Sequence, residues 1–306
     1  MKVLIIGLGS IAQKHIEAIK KLRQSAIFYA LRSSNNHNKF NDVIDIYSFE
    51  NVPNDIDFIL ISNPTSLHAD TIKKVLDFMK PLFIEKPLFA EIKNNEEIVE
   101  LVNQKKIKTY VGCNLRFHPA LDFLKNYLFT ENLKINEVSI YCGSYLPNWR
   151  PSQDYTKSYS AKKELGGGVH LDLIHELDYA IWIFGKPINY NSIKRKVSNL
   201  LINSIDYTHY NLSYSEFNVS ITLNYYRSIP KRQIEVVLEN EIIICDLLTS
   251  TIVNSKNEII FQDKNFNFQK TYTNQMNYFT DNLNNDNIYM NNIDESFEIL
   301  KIAIND

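Results

Sequence analysis

Several groups of residues in this chain have the types and spacing that chemistry needs. The first is Glu85-Lys86-Pro87, a charged pair that follows the apolar run Leu82-Phe83-Ile84 and is stopped by proline. A short buried strand ending this way delivers Glu85 and Lys86 to its carboxyl edge. Pro87 restricts Lys86 to an extended backbone, which holds the ammonium in place. The same pattern also describes a surface turn with two solvated charges. The second group is Gly7-Leu8-Gly9-Ser10-Ile11-Ala12. Gly7 allows a tight turn, Gly9 lets backbone approach a pyrophosphate, and the small Ala12 permits close packing of helix on strand. The third is Asp172, His175 and Asp178, which regular helical spacing places on one face. A carboxylate beside an imidazole can orient it and tune it for proton exchange near neutral pH. A solvated polar stripe or a metal site would use the same residue types, although no further clustered ligand accompanies them.

The elements that must position these groups follow from the apolar pattern. Strands are expected at 2–6, 26–31, 57–62, 81–85 and 109–112, with intervening helices after Gly9, along Ile72, Val75, Leu76 and Met79, and over 96–104. Such alternation argues for a doubly wound parallel sheet, whose carboxyl edge is the ligand side. That edge holds Gly7, Gly9, Ser10, Ile11 and Ala12, where a helix N-terminus offers N–H groups to phosphate. It also holds Asn63 and Pro64 in a strand-to-helix turn that flanks the cofactor, with His68 at the helix start. At the end of the second strand, where NAD-preferring proteins carry an acidic residue, stand Arg32, Ser33 and Ser34. A guanidinium and hydroxyls suit a 2′-phosphate, so NADP(H) is expected over the alternative, NAD(H).

After residue 128 the texture changes. A strand is expected at 138–141, then a loop over 143–163 rich in Tyr, Ser and Pro. Gly166, Gly167 and Gly168 follow, their lack of side chains leaving room for a ligand, and lead into one helix over 169–184. From 189 to 262 the pattern has period two, with Phe217, Val219, Ile221, Leu223 and Tyr225 alternating with polar residues, as in antiparallel strands with one buried face. A closing helix is expected at 294–305 and a flexible Asn-rich loop at 282–292. The fold class is α/β: an N-terminal Rossmann domain at 1–118, then an α+β domain at 119–306 with a mostly antiparallel open sheet.

Composition narrows the function. With 306 residues, 44% hydrophobic and 22% charged, the chain can bury a sizeable core. A net charge of -2 with dispersed basic residues argues against nucleic acid or an anionic membrane as partner. Three widely separated cysteines form neither a disulfide framework nor a paired metal site. With no apolar run long enough for a membrane span, a cytoplasmic location is expected.

Together these motifs resemble the Gfo/Idh/MocA family, named for glucose-fructose oxidoreductase, inositol dehydrogenase and a rhizopine-catabolism protein. The matching residues, in family order over about the first 185 positions, are Gly7 to Ala12, Asn63-Pro64-Thr65 with His68, Glu85-Lys86-Pro87, Asn114-Leu115-Arg116-Phe117, and Gly166 through Asp172, His175 and Asp178. The resemblance implies Lys86 near nicotinamide and substrate, with Asp172 and His175 as catalytic partners. It also implies Glu85 and Asn114 on the cofactor side, Arg116 on the substrate side, and a homodimer or homotetramer formed through the C-terminal sheet. The family helix has three residues between that Asp and His, whereas only Leu173 and Ile174 intervene here.

The expected reaction is hydride transfer between nicotinamide and a carbinol or carbonyl carbon of a sugar or nucleotide-sugar. His175 would exchange the hydroxyl proton and Lys86 would stabilise charge on that oxygen. Tyr145, Trp149, Arg150, Tyr155 and Tyr159 are candidates for stacking on a sugar or gripping its phosphate. The alternatives are reduction of a non-sugar carbonyl or imine, and a non-catalytic NADP-binding sensor.

Overall fold

The computed structural model describes residues 1–34, 40–131, 133–285 and 289–305. In chain order the helices are α1 (Ser10–Leu22), α2 (His68–Val75), α3 (Glu96–Gln104), α4 (Pro119–Thr130), α5 (Val169–Asp172), α6 (His175–Phe184), α7 (Phe268–Asp281) and α8 (Ile293–Ile304). The chain forms two compact units, 1–114 with 269–300, and 115–268 with 301–306. The sequence placed the division after residue 118 and left 269–300 in the second domain. Packing explains the difference: Phe279 of α7 sets its ring edge-on to Phe58 and Phe83, at centroid distances of 4.9 and 5.3 Å.

In the first unit, β1 (Lys2–Ile6), β2 (Ile27–Leu31), β3 (Val43–Ile46), β4 (Phe58–Ile61), β5 (Leu82–Ile84) and β6 (Thr109–Val111) form a parallel sheet in the order β3-β2-β1-β4-β5-β6. Central strands covered on both faces must be apolar throughout, and every residue of β4 and β5 is fully buried. The winding reverses between β1 and β4, which makes the ends of these strands the ligand-binding crevice of such a sheet. β3 escapes the apolar pattern because Val-Ile-Asp-Ile is a partly exposed edge strand. α2 ends before the expected Met79, which is left-handed (φ 52°) and 56% exposed. Of the Asn-rich stretch, residues 286–288 lie outside the described residues. Its end is well held, with Asn291 fully buried and its side chain donating to Val111 O at 2.7 Å.

The second unit carries β7 (Ile135–Tyr145), β8 (Asn189–Arg195), β9 (Tyr207–Ser213), β10 (Asn218–Asn224), β11 (Tyr226–Leu238), β12 (Ile242–Asp246), β13 (Thr251–Asn254) and β14 (Ile259–Gln262). They pair in the order β14-β13-β12-β11-β7-β10-β9-β8, antiparallel except for β7 beside β10. The period-two pattern decides the buried face: Val219, Ile221 and Leu223 are fully buried, as are Ile234 and Val236 across the sheet. The expected single helix over 169–184 is two helices, since Leu173 leaves helical geometry (φ −101°, ψ 31°) between α5 and α6.

Candidate functional site

The first unit contains a cleft of about 490 Å³ at the carboxyl edge of its sheet, lined by Gly7, Leu8, Arg32, Ser33, Ser34, Tyr47, Ser48, Phe49, Asn63, Pro64 and Leu67, among others. The turn out of β1 explains why it stays open. Gly7 sits at φ +98°, and a Cβ there would lie 2.2 Å from Asn63 N. Only glycine lets the two strand ends come this close. A Cβ on Gly9 would meet nothing within 4 Å, so the space beside the start of α1 is empty of protein. Gly9 caps α1, whose first turn has no acidic residue, so its N–H groups and dipole are available to an anion. Ala12 is fully buried under the turn, Ser10 is exposed and Ile11 half-buried. This open cradle, a donor-rich helix start and the flanking pocket fit a dinucleotide.

Arg32 lines the cleft with its Nε 3.6 Å from Asp45 Oδ1 on β3. An acidic group therefore does stand beside the guanidinium, supplied by a strand that sequence reading missed. Tyr47, Ser48 and Phe49 come from the segment after that same strand, and no motif in the sequence marks them.

The Glu85-Lys86-Pro87 turn follows β5, with Glu85 buried at 9% exposure and Lys86 half-buried. Glu85 reaches back to α1, where its Oε1 lies 2.5 Å from His15 Nε2. Residue types alone could not reveal this pair, because its members are distant in sequence. His68 is 1% exposed, and its ring nitrogens lie 3.0 Å from Asn63 O and Leu88 O. Burial, the largest cause, lowers its pKa, and the ring lies between the Asn63 turn and the segment after Lys86. His68, expected on the cofactor side, thus contacts the protein's own backbone through both ring nitrogens. Asn114, also expected on the cofactor side, is 6% exposed and donates to Thr271 Oγ1 at 2.6 Å.

In the second unit, Trp149, Arg150, Tyr155 and Tyr159 converge on one small cavity of about 50 Å³, together with Asp154, Ser158 and Ser160. Trp149 is edge-on to Tyr225 at 5.3 Å and donates to Ser144 Oγ at 2.7 Å. Tyr155 accepts from Leu201 N at 3.3 Å, so its hydroxyl also anchors a neighbouring loop.

Asp172 lies beneath this cluster, 4% exposed, and accepts a hydrogen bond from Tyr225 Oη. Burial first, and the Asp172 charge second, raise the pKa values of both Tyr225 and Tyr159, keeping the phenols protonated. His175 is half-buried at the start of α6. Because the helix breaks between them, Asp172 and His175 do not share one regular helical face as the sequence suggested. Asp178 goes to Arg116 instead: Nη2 to Oδ1 is 2.7 Å, and both side chains are 1% exposed. That ion pair ties down the guanidinium expected to touch substrate. Among the described residues, no group of three or more His, Cys, Asp or Glu is placed to hold a metal.

At Gly167 the need for glycine comes from the protein itself. A Cβ on Gly167 would lie 2.1 Å from Tyr159 O, so the chain's own backbone, rather than a ligand, excludes a side chain there. Among the described residues no helix is long and apolar enough to cross a membrane.

Family models match both parts of the chain: an oxidoreductase family NAD-binding Rossmann fold over residues 1–113, and an oxidoreductase family C-terminal alpha/beta domain over 131–303. An uncharacterized oxidoreductase, YrbE, of Bacillus subtilis is 27% identical over 194 residues, 60% of this chain and 54% of that protein. The inositol 2-dehydrogenase of Rhizobium meliloti is 29% identical over 133 residues, 43% of this chain and 38% of that one. These matches span about half the length of the curated relatives, or less. A levoglucosan dehydrogenase solved with NADH and levoglucosan superposes with a TM-score of 0.84 over 99% of this chain and 95% of its own, at 14% identity, which shows a shared fold. With both of its domain models matched in order, this chain belongs to the Gfo/Idh/MocA oxidoreductase family.

Proposed function

We propose that the protein is a dehydrogenase or reductase that uses NAD(P) and acts on a carbinol or carbonyl carbon of a sugar-like substrate. The observation that carries this reading is the open cradle at Gly9, with the donor-rich start of α1 on one side and the cleft lined by Arg32 and Asn63 on the other. Gly7, Gly9 and Ser10 would hold the pyrophosphate, and Asn63, Pro64 and the residues after β3 the nucleoside. The bound nicotinamide supplies or accepts the hydride. Lys86 hydrogen-bonds the substrate oxygen and stabilises negative charge there, while His175 takes or returns the hydroxyl proton. Asp172 holds Tyr225 and Tyr159 at the edge of the small cavity, where Trp149 and Arg150 offer a stacking face and a cation to a sugar. Arg32, Ser33 and Ser34 favour NADP(H), although the Asp45 carboxylate competes for the same guanidinium. Relatives whose names specify inositol and levoglucosan support a polyol or anhydrosugar as substrate. Association through the sheet of the second unit belongs to the same reading, with light scattering as its check.

The test is twofold. Titration of the protein with NADPH and NADH, followed by nicotinamide fluorescence, should show binding of both with NADPH tighter; no binding of either defeats the reading. Turnover is then assayed with myo-inositol, scyllo-inositol, levoglucosan and UDP-N-acetylglucosamine in both directions. With whichever substrate turns over, Lys86→Ala and His175→Ala should each lower kcat by about 100-fold or more. Near-wild-type turnover in either variant removes that residue from the chemistry.

A further inference from the structure

α1 has one end at the glycine turn and, little more than one helical turn further on, carries His15 on its buried face. His15 is fully buried, and its Nε2 lies 2.5 Å from Oε1 of Glu85, the residue immediately before Lys86. Its ring is fixed edge-on between Phe83 at 4.8 Å and Tyr272 at 5.7 Å. His15 Nδ1 has no hydrogen-bond partner among the described residues, so the proton belongs on Nε2, where it is donated to the carboxylate. The carboxylate in turn occupies a slot that a glycine keeps open, since a Cβ on Gly112 would lie 3.1 Å from Glu85 Oε1. The Glu85 backbone N–H donates to Ile61 O at 2.8 Å. Glu85 is therefore held from α1, β4 and the end of β6 at once. A buried carboxylate this constrained moves only if its partner moves.

We propose that His15 and Glu85 are positioning residues that couple occupancy of the glycine turn to the placement of Lys86. An anion bound at the start of α1 draws on the N–H groups of that helix. α1 is a rigid rod, so a small adjustment at its first turn is passed through His15 Nε2 to Glu85 and thence to the adjoining residue. The inference rests on the reading that the glycine turn receives a cofactor diphosphate. It goes beyond that reading by assigning a task to two buried residues that need touch neither cofactor nor substrate.

ADP separates the two, because it supplies the diphosphate but carries nothing that extends toward a nicotinamide site. Its binding is measured by calorimetry, and the rate of Lys86 acylation by an amine-reactive reagent by peptide mass spectrometry. Saturating ADP should change that rate about fivefold in the wild-type protein. His15→Gln, whose amide can reach the position of Nε2, should keep most of the change. His15→Asn, whose amide falls short, should abolish it while still binding ADP. If His15→Asn does not fold, Glu85→Gln takes its place; lacking the charge-assisted bond, it should show less than half the change. ADP binding without any effect on Lys86, or an effect that survives in His15→Asn or Glu85→Gln, overturns the coupling and leaves the cofactor reading intact. Failure of ADP to bind the wild-type protein overturns both.

Discussion

Arg116 grips Asp178 with two nitrogens, Nη2 at 2.7 Å from Oδ1 and Nε at 3.0 Å from Oδ2, in a site where both side chains are 1% exposed. The pair joins the segment before α4 to the first turns of α6, the helix that begins with His175. Removing one partner leaves the other charged and buried, so Asp178→Ala should cost about 3–5 kcal/mol of stability. Urea unfolding measures this directly, and a loss below about 1 kcal/mol would mean that water replaces the pair.

Gly7 and Gly9 make opposite demands. Alanine at position 7 meets backbone at 2.2 Å in a left-handed conformation, so Gly7→Ala should destabilise the fold by at least about 1–3 kcal/mol. Alanine at position 9 meets nothing within 4 Å. Gly9→Ala should therefore melt like the wild type yet lose on the order of tenfold in NADH affinity, about 1.4 kcal/mol, because its methyl enters the space assigned to pyrophosphate. Unchanged affinity would place the cofactor elsewhere.

Cofactor choice turns on Arg32 and its neighbour. If the guanidinium meets a 2′-phosphate, Arg32→Ala should weaken NADPH by about 10-fold or more and leave NADH within a factor of three or so. Asp45→Asn removes the competing carboxylate, 3.6 Å from Arg32 Nε, and should shift preference further toward NADPH. Fluorescence titrations of the two variants decide; equal losses for both cofactors would exclude a 2′-phosphate contact.

His118 should make the second unit sensitive to acid. Its Nδ1 accepts from Ala120 N at 3.2 Å, capping α4, while Nε2 donates to Leu247 O at 3.0 Å. Protonation would set an N–H against the Ala120 N–H. Burial, the larger cause, and the nearby Arg232 charge hold the pKa down, at about 4 against 6.5 for the ordinary group. Between these values the unfolded chain binds a proton that the native state refuses, so stability falls as pH drops from about 6.5 toward 4, by roughly 3 kcal/mol in all. Unfolding midpoints at pH 7 and 4.5 should differ less in His118→Gln than in the wild type.

Local chemistry wrote much of this protein plainly. The strand, glycine turn and helix at the start follow from an apolar run, a Gly-x-Gly and a 3.6-residue repeat, which act between near neighbours and need no other context. So do the placement of Glu85 and Lys86 at a strand end, the antiparallel pattern of β9 to β11, and helix α3, all visible in periodicity alone. Other features depended on residues far apart meeting in space. Asp45 beside Arg32, His15 beside Glu85, Tyr225 beneath Trp149 and against Asp172, and Arg116 with Asp178 are separated by tens of residues or brought together by sheet pairing, and no spacing rule registers them. The break between Asp172 and His175 belongs to the same class. A shortened spacing is legible as a departure, but whether the helix rotates or breaks depends on what packs around it. Here buried Asp172 is held by Tyr225 and buried Asp178 by Arg116, and the intervening turn gives way at Leu173. Periodicity determined which elements form; burial and long-range hydrogen bonding decided which of their polar side chains are bound within the protein itself.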